Sequence, residues 1–272
     1  KALAQPFGRS ELEHRVCASL GVALFTGRQQ TTDELMQQAD IALYQAKSAG
    51  GDTFRLFDPQ MQSALLERHR TTVELREAVH TDQLVPYFQG QVDVQGNLQG
   101  AELLLRWDHP EHGLLASDAF IPLAEASGLI VDLGWQVMVM AARQLARWQR
   151  DPQTHALPIA VNVSQKQFEQ ADFVERLTDI LAEHGLAQPN LKIELTESIL
   201  ARDIESVRKT MSAVRRLGVE FSLDDFGTGY SSLAYLKRLP ISQLKIDRSF
   251  INDTSGDQSD RDIIATIIAL AK

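Results

Sequence analysis

Five stretches of the sequence set a polar, metal-competent side chain out of phase with a short aliphatic run. They are Gly100–Arg106 (GAELLLR), Ile159–Val163 (IAVNV), Leu191–Leu195 (LKIEL), Val219–Asp225 (VEFSLDD) and Gln243–Asp247 (QLKID). Side chains of an extended strand alternate between two faces. Leu103 and Leu105 therefore face one way, and Glu102 and Arg106 the other. The same parity separates Asn162 from Val161, Glu194 from Ile193, Asp224 from Leu223, and Lys245 and Asp247 from Leu244 and Ile246. With the aliphatics outward under helices, the polar set converges on one end of a barrel. Glu102, Asn162, Glu194 and Asp224 then offer oxygen ligands to hard cations such as Mg²⁺ or Mn²⁺. Asp225 follows Asp224 directly. Where the strand gives way to Gly227-Thr-Gly229, both carboxylates can enter one space and bridge two ions. Two such ions about 3.5–4 Å apart clamp an in-line displacement at phosphorus. Lys245 can steer the attacking water or stabilise charge on the phosphate. Arg106 suits a bidentate phosphate contact.

Each residue also has a plainer reading. A single out-of-phase Glu or Asn is ordinarily the solvent side of a half-exposed strand, and an Asp-Asp pair before glycines can be turn chemistry. Glu197 can cap the helix that follows it or brace a neighbouring loop. The coincidence across five stretches outweighs these readings, because parallel strands in βα units are covered on both faces. Gly227–Ser232 lacks the third glycine and the Lys-Ser/Thr of a phosphate-binding loop. His109 and His112, beside Pro110, read as solvated loop histidines, and there is no Gly-x-Ser-x-Gly nucleophile elbow.

The elements that must position this set follow from periodicity. Strands are expected at 84–89, 99–106, 158–163, 191–195, 219–224 and 241–246. Helices are expected near 118–127, 131–150, 170–185, 203–217, 231–238 and 258–271. Alternating strand and helix implies a parallel sheet under helices, and polar residues at strand C-terminal ends favour a (β/α) barrel. Ahead of it, Val16–Phe25 reads as a mostly buried strand. Thr31-x-x-Glu34 is a capping box opening a helix, Gly50-Gly51 stops that helix, and Thr53–Phe57 is a short strand. Residues 1–58 thus form a first α/β domain, 59–80 a linker helix and 81–272 the second domain.

The 272 residues are 44% hydrophobic and 23% charged, the balance of a soluble globular protein. A net charge of −9 argues against a nucleic-acid polymer as partner, since such binders present basic surfaces. An anionic small substrate remains compatible if cations offset the carboxylates. Cys17 is the single cysteine and reads as a buried thiol in a reducing, cytoplasmic setting. No apolar run reaches about 18 residues, so no membrane contact is expected. Ile263–Ala271, the most apolar stretch, reads as a buried helix.

The motifs Tyr87-Phe-Gln89, Glu102-Leu-Leu-Leu-Arg-Trp107, Phe120-Ile-Pro-Leu-Ala-Glu125, Val161-Asn-Val-Ser164, Glu194-Leu-Thr-Glu197, Asp224-Asp-Phe-Gly-Thr-Gly-Tyr-Ser-Ser232 and Lys245-Ile-Asp-Arg-Ser-Phe250 occur in order. Together they make residues 73–272 resemble an EAL domain, the cyclic di-GMP phosphodiesterase module. Ala18–Val22 and Ala39–Lys47 make residues 1–58 resemble the C-terminal part of a GGDEF, diguanylate cyclase-like domain.

The resemblance implies a TIM-like (β/α)8 barrel whose first strand runs against the others, in a tandem GGDEF–EAL protein that dimerises through the EAL domain. The reaction would be hydrolysis of cyclic di-GMP to linear pGpG with two Mg²⁺ or Mn²⁺ ions. Metal ligands would be Glu102, Asn162, Glu194, Asp224 and Asp225. Lys245 matches the lysine near the attacking water, Glu197 a glutamate that holds the loop after Asp225, and Asp247 a further acid of the site. Gln89, Leu104 and Arg106 fall at substrate-contact positions. Leu103 replaces the family's alanine, and Gly90 its usual proline. The family's late glutamate, a metal ligand and general base, has no counterpart among these residues, which implies a barrel lacking its C-terminal strands. The alternative is a non-catalytic cyclic di-GMP receptor.

Overall fold

The computed structural model describes residues 17–25, 27, 30–201, 203–227, 236, 238–252 and 258–270. The chain divides into two compact units, Lys1–Glu74 and Leu75–Lys272. In the first, β1 (Leu20–Val22) pairs in parallel with β2 (Phe54–Leu56), and α1 (Thr32–Ser48) packs on them. The capping box forms: Thr31 Oγ1 accepts the Glu34 N–H, and Glu34 Oε2 accepts the Thr31 N–H at 2.8 Å. Helix α2 (Pro59–Ala78) leads into the second unit.

Two expectations fail in this first unit. The strand expected over Val16–Phe25 shrinks to Leu20–Val22, and Leu20, Leu24 and Phe25 are 53–64% exposed. Cys17 is exposed, not buried. Among the described residues, β1 pairs only with β2, and α1 lies on it so closely that a Cβ on Gly21 would lie 2.0 Å from Ala39 O.

The second unit is built on one sheet. Its strands are β3 (Leu84–Val92), β4 (Leu98–His109), β5 (Gly113–Ala116), β6 (Ile159–Asn162), β7 (Leu191–Thr196), β8 (Glu220–Phe226) and β9 (Gln243–Ile246). The path runs β3-β4-β6-β7-β8-β9, with β5 returning along β4. Only β3 and β5 run antiparallel to β4; the pairs from β4 to β9 are parallel. Helices α3 (Ser117–Ser127), α4 (Ile130–Trp148), α5 (Gln165–Phe168), α6 (Phe173–Glu183) and α7 (Ile204–Arg215) lie between the strands; α8 (Arg248–Asn252) and α9 (Gln258–Leu270) follow β9.

Register explains the core. Leu103, Val161, Ile193 and Phe221 form one rung across four strands and are each at most 3% exposed. Burying such side chains contributes about 1.5–3 kcal/mol apiece. Strand β4 alternates as its parity requires: Leu103, Leu105 and Trp107 are buried, while Glu102, Leu104 and Arg106 are half-buried. Trp107 packs edge-on against Phe120 and donates its Nε1–H to Gln83 Oε1 at 3.0 Å.

Several local expectations are corrected. The helix expected from residue 170 begins at Phe173, after the separate short turn α5. His109 is not a solvated loop residue; it ends β4, is 3% exposed and stacks 4.7 Å from Trp107, its Nδ1 accepting the Glu111 N–H. The apolar α9 is only half-buried, since Ile267 is covered and Ile268 is 47% exposed. The helix expected at 231–238 and the loop through Ser232 lie largely outside the described residues. No helix among the described residues is long and apolar enough to cross a membrane.

Candidate functional site

The strands deliver their polar side chains to one face in a staggered order. Asn162 stands in register with Glu194, and Thr196 with Asp224. Glu102 is aligned with Ala160, two positions before Asn162, and its side chain spans the offset: Oε1 accepts from Asn162 Nδ2 at 2.7 Å. At the centre stands Lys245. Its Nζ donates to Glu194 Oε2 at 2.6 Å, Asp224 Oδ2 at 2.9 Å and Glu102 Oε2 at 3.2 Å. Three of the acids singled out by parity thus meet around the Lys245 ammonium, with Asn162 bonded to their edge.

The adjacent aspartates are placed by a bulge. Leu223 pairs with Leu244 and Phe226 with Ile246, so Asp224 and Asp225 together oppose Lys245 alone. An extra residue of this kind bends the strand and re-aims side chains. Asp225 absorbs the bend with φ 53°, a left-handed conformation that aspartate tolerates better than most residues. Its N–H donates to Asp224 Oδ1 at 3.0 Å, and its carboxyl is hydrogen-bonded to Asp247. Asp247 Oδ1 in turn accepts the Ser249 N–H at 2.8 Å and the Ser249 hydroxyl. Beyond the bulge, Glu197, which opens a 3₁₀ turn after β7, is 6% exposed; its Oε2 accepts the Gly227 N–H at 3.1 Å.

Proton affinities separate these groups. Burial pushes the Glu194 carboxyl up to about 7, against the pull of Lys245, and the charges of Glu102 and Asp224 push the same way. Burial draws the Lys245 ammonium down, but its bonds to Glu194 and Asp224 and the charge of Glu102 outweigh that, and it is held above the usual lysine range. The two shifts agree physically: three acids face one base, which favours the charged form of the lysine and disfavours charge on the most deeply buried acid. Burial and the neighbouring Asp224 raise Asp225, while bonds from Ser249 lower Asp247.

No group of three or more His, Cys, Asp or Glu side chains is arranged as a ready metal cage among the described residues. The converging carboxylates are instead spread around the Lys245 nitrogen. Their chemistry nonetheless fits a hard divalent ion: oxygen donors from three strands meet at one point, and Glu194 Oε1 is buried there without a hydrogen-bond partner among the described residues.

A cavity of about 550 Å³ adjoins this cluster, lined by Asn162, Glu194 and Asp225 together with Leu104. Arg106 is held beside it by Leu105 O, at 3.0 Å, and by Ser117 Oγ, its guanidinium 5.7 Å above the Tyr87 ring. Gln89 is aligned with Glu102 across β3 and β4 but is exposed. Residues not anticipated from the sequence also line the cavity: Ser117 and Asp118 at the start of α3, Ser164, and Glu125. Ser164 carried a local signal, since its hydroxyl caps α5 by accepting the Gln167 N–H. A larger cavity of about 780 Å³ is lined by the segment from Val79 to Pro86 and by α4 and α6, and contains none of the site residues.

Residues 72–272 match the model of the EAL domain, and residues 1–53 that of the diguanylate cyclase, GGDEF domain. The bifunctional diguanylate cyclase/cyclic di-GMP phosphodiesterase MucR of Pseudomonas aeruginosa is 42% identical over 100% of this chain. The cyclic di-GMP phosphodiesterase PdeR of Escherichia coli is 35% identical over 99% of it. The chain spans 40% of the length of each. Among solved structures, the PaMucR phosphodiesterase in complex with c-di-GMP superposes with a TM-score of 0.70 at 44% identity, covering 74% of this chain and 81% of that one. The Xanthomonas citri FimX EAL domain in complex with c-diGMP gives a TM-score of 0.65 at 25% identity, covering 75% of this chain and 80% of that one. On the strength of the domain model and these relatives, the chain belongs to the EAL domain family, with part of a GGDEF domain ahead of it.

Proposed function

We propose that the second unit hydrolyses one phosphodiester bond of cyclic di-GMP, giving linear pGpG. The supporting observation is the convergence of Glu102, Glu194 and Asp224 on Lys245, beside a cavity walled by Asn162 and Asp225. Water oxygen attacks phosphorus, the P–O3′ bond breaks, and a proton from the water ends on the O3′ leaving group. The architecture that suits this reading is a TIM-like barrel with β3 running against β4 and the strands parallel to it.

Glu102, Asn162, Glu194, Asp224 and Asp225 would hold two Mg²⁺ or Mn²⁺ ions. When bound, such ions polarise phosphate oxygens and acidify water. The remaining work falls to the chain. Lys245 places a positive charge where the phosphorane develops negative charge. Arg106, anchored through Ser117, meets the phosphate oxygens, while Gln89 and Leu104 contact the nucleotide. Asp247 is hydrogen-bonded to Asp225 and so fixes the orientation of that carboxyl at the rim. Glu197 steadies the turn at Gly227, and with it the position of Asp225.

The test uses full-length protein with Mg²⁺ or Mn²⁺ and follows cyclic di-GMP conversion to pGpG by chromatography. Turnover is expected, and metal-dependent turnover that persists in Asp224→Asn would refute the assignment. Binding without turnover would favour the receptor alternative. The full protein is proposed to act in the cytoplasm as a homodimer.

A further inference from the structure

We propose that Lys245 is an internal counter-ion that holds the carboxylate floor together and competes with divalent metal for it, so that loading the site requires eviction of the ammonium. The inference rests on the reading of this floor as a metal site.

An ammonium has three donors, and each is used on a different carboxylate, Glu102, Glu194 and Asp224. Glu194 has no exposed side-chain surface, and the Glu102 and Asp224 side chains are 17% and 20% exposed. Taking Lys245 away without replacement would leave like charges facing one another in a poorly solvated place. The same geometry excludes sharing. The oxygens sit 2.6–3.2 Å from nitrogen, whereas Mg²⁺ requires roughly 2.0–2.1 Å to each oxygen in near-octahedral order. An ion centred among these oxygens would fall on the position of Nζ. Glu102 is tied on its other side as well, through Asn162 Nδ2 at 2.7 Å, so the floor opens only when the lysine leaves. Once displaced, the ammonium stands at the mouth of the floor, where a phosphate would meet it. Lys245 is thus a positioning residue in the metal-free protein, and eviction delivers it to its role on substrate.

Mn²⁺ binding to the full-length protein, measured by calorimetry for wild type and Lys245→Met, tests this. A site whose open state is only partly populated binds more weakly in proportion, so removing the competitor should tighten Mn²⁺ binding about tenfold or more. The metal-free variant should also melt below wild type, with Mn²⁺ closing the gap. Equal or weaker Mn²⁺ binding by Lys245→Met, with normal binding by wild type, overturns the competition and leaves the metal site standing. Absence of Mn²⁺ binding by wild type overturns both. Should Lys245→Met fail to fold, wild-type protein decides: acylation of Lys245 by an amine-reactive ester, mapped by mass spectrometry, should be several-fold faster with Mn²⁺ than with chelator. Equal or slower acylation refutes the inference.

Discussion

The floor and the rim of the site are both acidic, yet they solve the problem of crowded carboxylates differently. On the floor, Glu102, Glu194 and Asp224 come from three strands and are held by a lysine on a fourth. At the rim, Asp225 and Asp247 share a hydrogen bond; burial and Asp224 raise the first carboxyl, and bonds from Ser249 lower the second. The register from β4 to β8 beneath the floor is unbroken and carries a buried apolar rung, while Asp224 and Lys245 lie where the β8–β9 pairing shifts. The rim rests on a bulge and a left-handed aspartate. The floor is therefore held through one ammonium, whereas the rim is placed by a bulge in the β8–β9 ladder that re-aims Asp225.

The sharpest way to break this contrast is to neutralise the floor. Asp224→Asn preserves shape but removes one charge from both the Lys245 cage and the proposed metal site. Turnover of cyclic di-GMP should fall at least ~10³-fold. The conservative rim change Asp247→Asn should cost less than ~10²-fold, since Asp247 sits outside the cage. Comparable losses at both positions would erase the distinction.

Acidity offers a second test. In the metal-free protein Glu194 holds its proton to about 7, whereas in the unfolded chain it ionises near 4.5. Between those values the native state binds more protons than the unfolded state, so stability falls as pH rises through that window. The full effect is about 3 kcal/mol at most. The raised Lys245 pKa acts in the alkaline range, where its stabilisation is lost, and does not oppose this slope. Denaturant midpoints in chelator should drop from about pH 5 to about pH 7.5, and Glu194→Gln should flatten the drop. An unchanged slope in that variant would place the titration elsewhere.

Floor and rim also differ in how legible they were. Strand parity located Glu102, Asn162, Glu194, Asp224 and Lys245, because alternation is a local property and each of these residues follows an extended stretch. It could not show that Lys245 would be the centre of the group, since cross-strand distances depend on stagger, which no single strand encodes. Asp225 was harder. Strict alternation sends it away from Asp224, and only the bulge lets both oppose Lys245. His109 was misread because Pro110 signals a turn, while the burial of its ring against Trp107 is a tertiary fact. In the first unit the apolar run from Val16 to Phe25 suggested a longer strand than forms, since among the described residues only Leu20–Val22 finds a pairing partner, Phe54–Leu56.

A packing change beneath the floor has a smaller expected effect. Gly134 on α4 faces Gln167, whose amide is fully buried, and both line the 550 Å³ cavity. A Cβ at position 134 would lie 2.0 Å from Gln167 Oε1. Gly134→Ala should cost about 1–3 kcal/mol of stability, partly recovered by Gln167→Ala, because overpacking at one contact is relieved by trimming its partner. Chemical denaturation of the two single variants and the double variant measures the coupling, and additive losses would mean that the two groups do not touch.

The smallest effect separates the two demands on Asp225, its conformation and its charge. A left-handed backbone costs a non-glycine residue about 1–2 kcal/mol, although aspartate tolerates it better than residues without a short polar side chain. Asp225→Gly should therefore leave stability unchanged or raise it by up to about 1 kcal/mol, the gain being reduced by glycine's greater freedom when unfolded. Asp225→Asn should match wild type in stability, since asparagine also accepts this region. Asp225→Ala should be the least stable of the series. All three remove the carboxylate, so turnover should fall in each irrespective of stability. An alanine variant as stable as the glycine variant would mean that φ 53° is not kept in solution, and the rim would then be an ordinary strand end rather than a bulge held under strain.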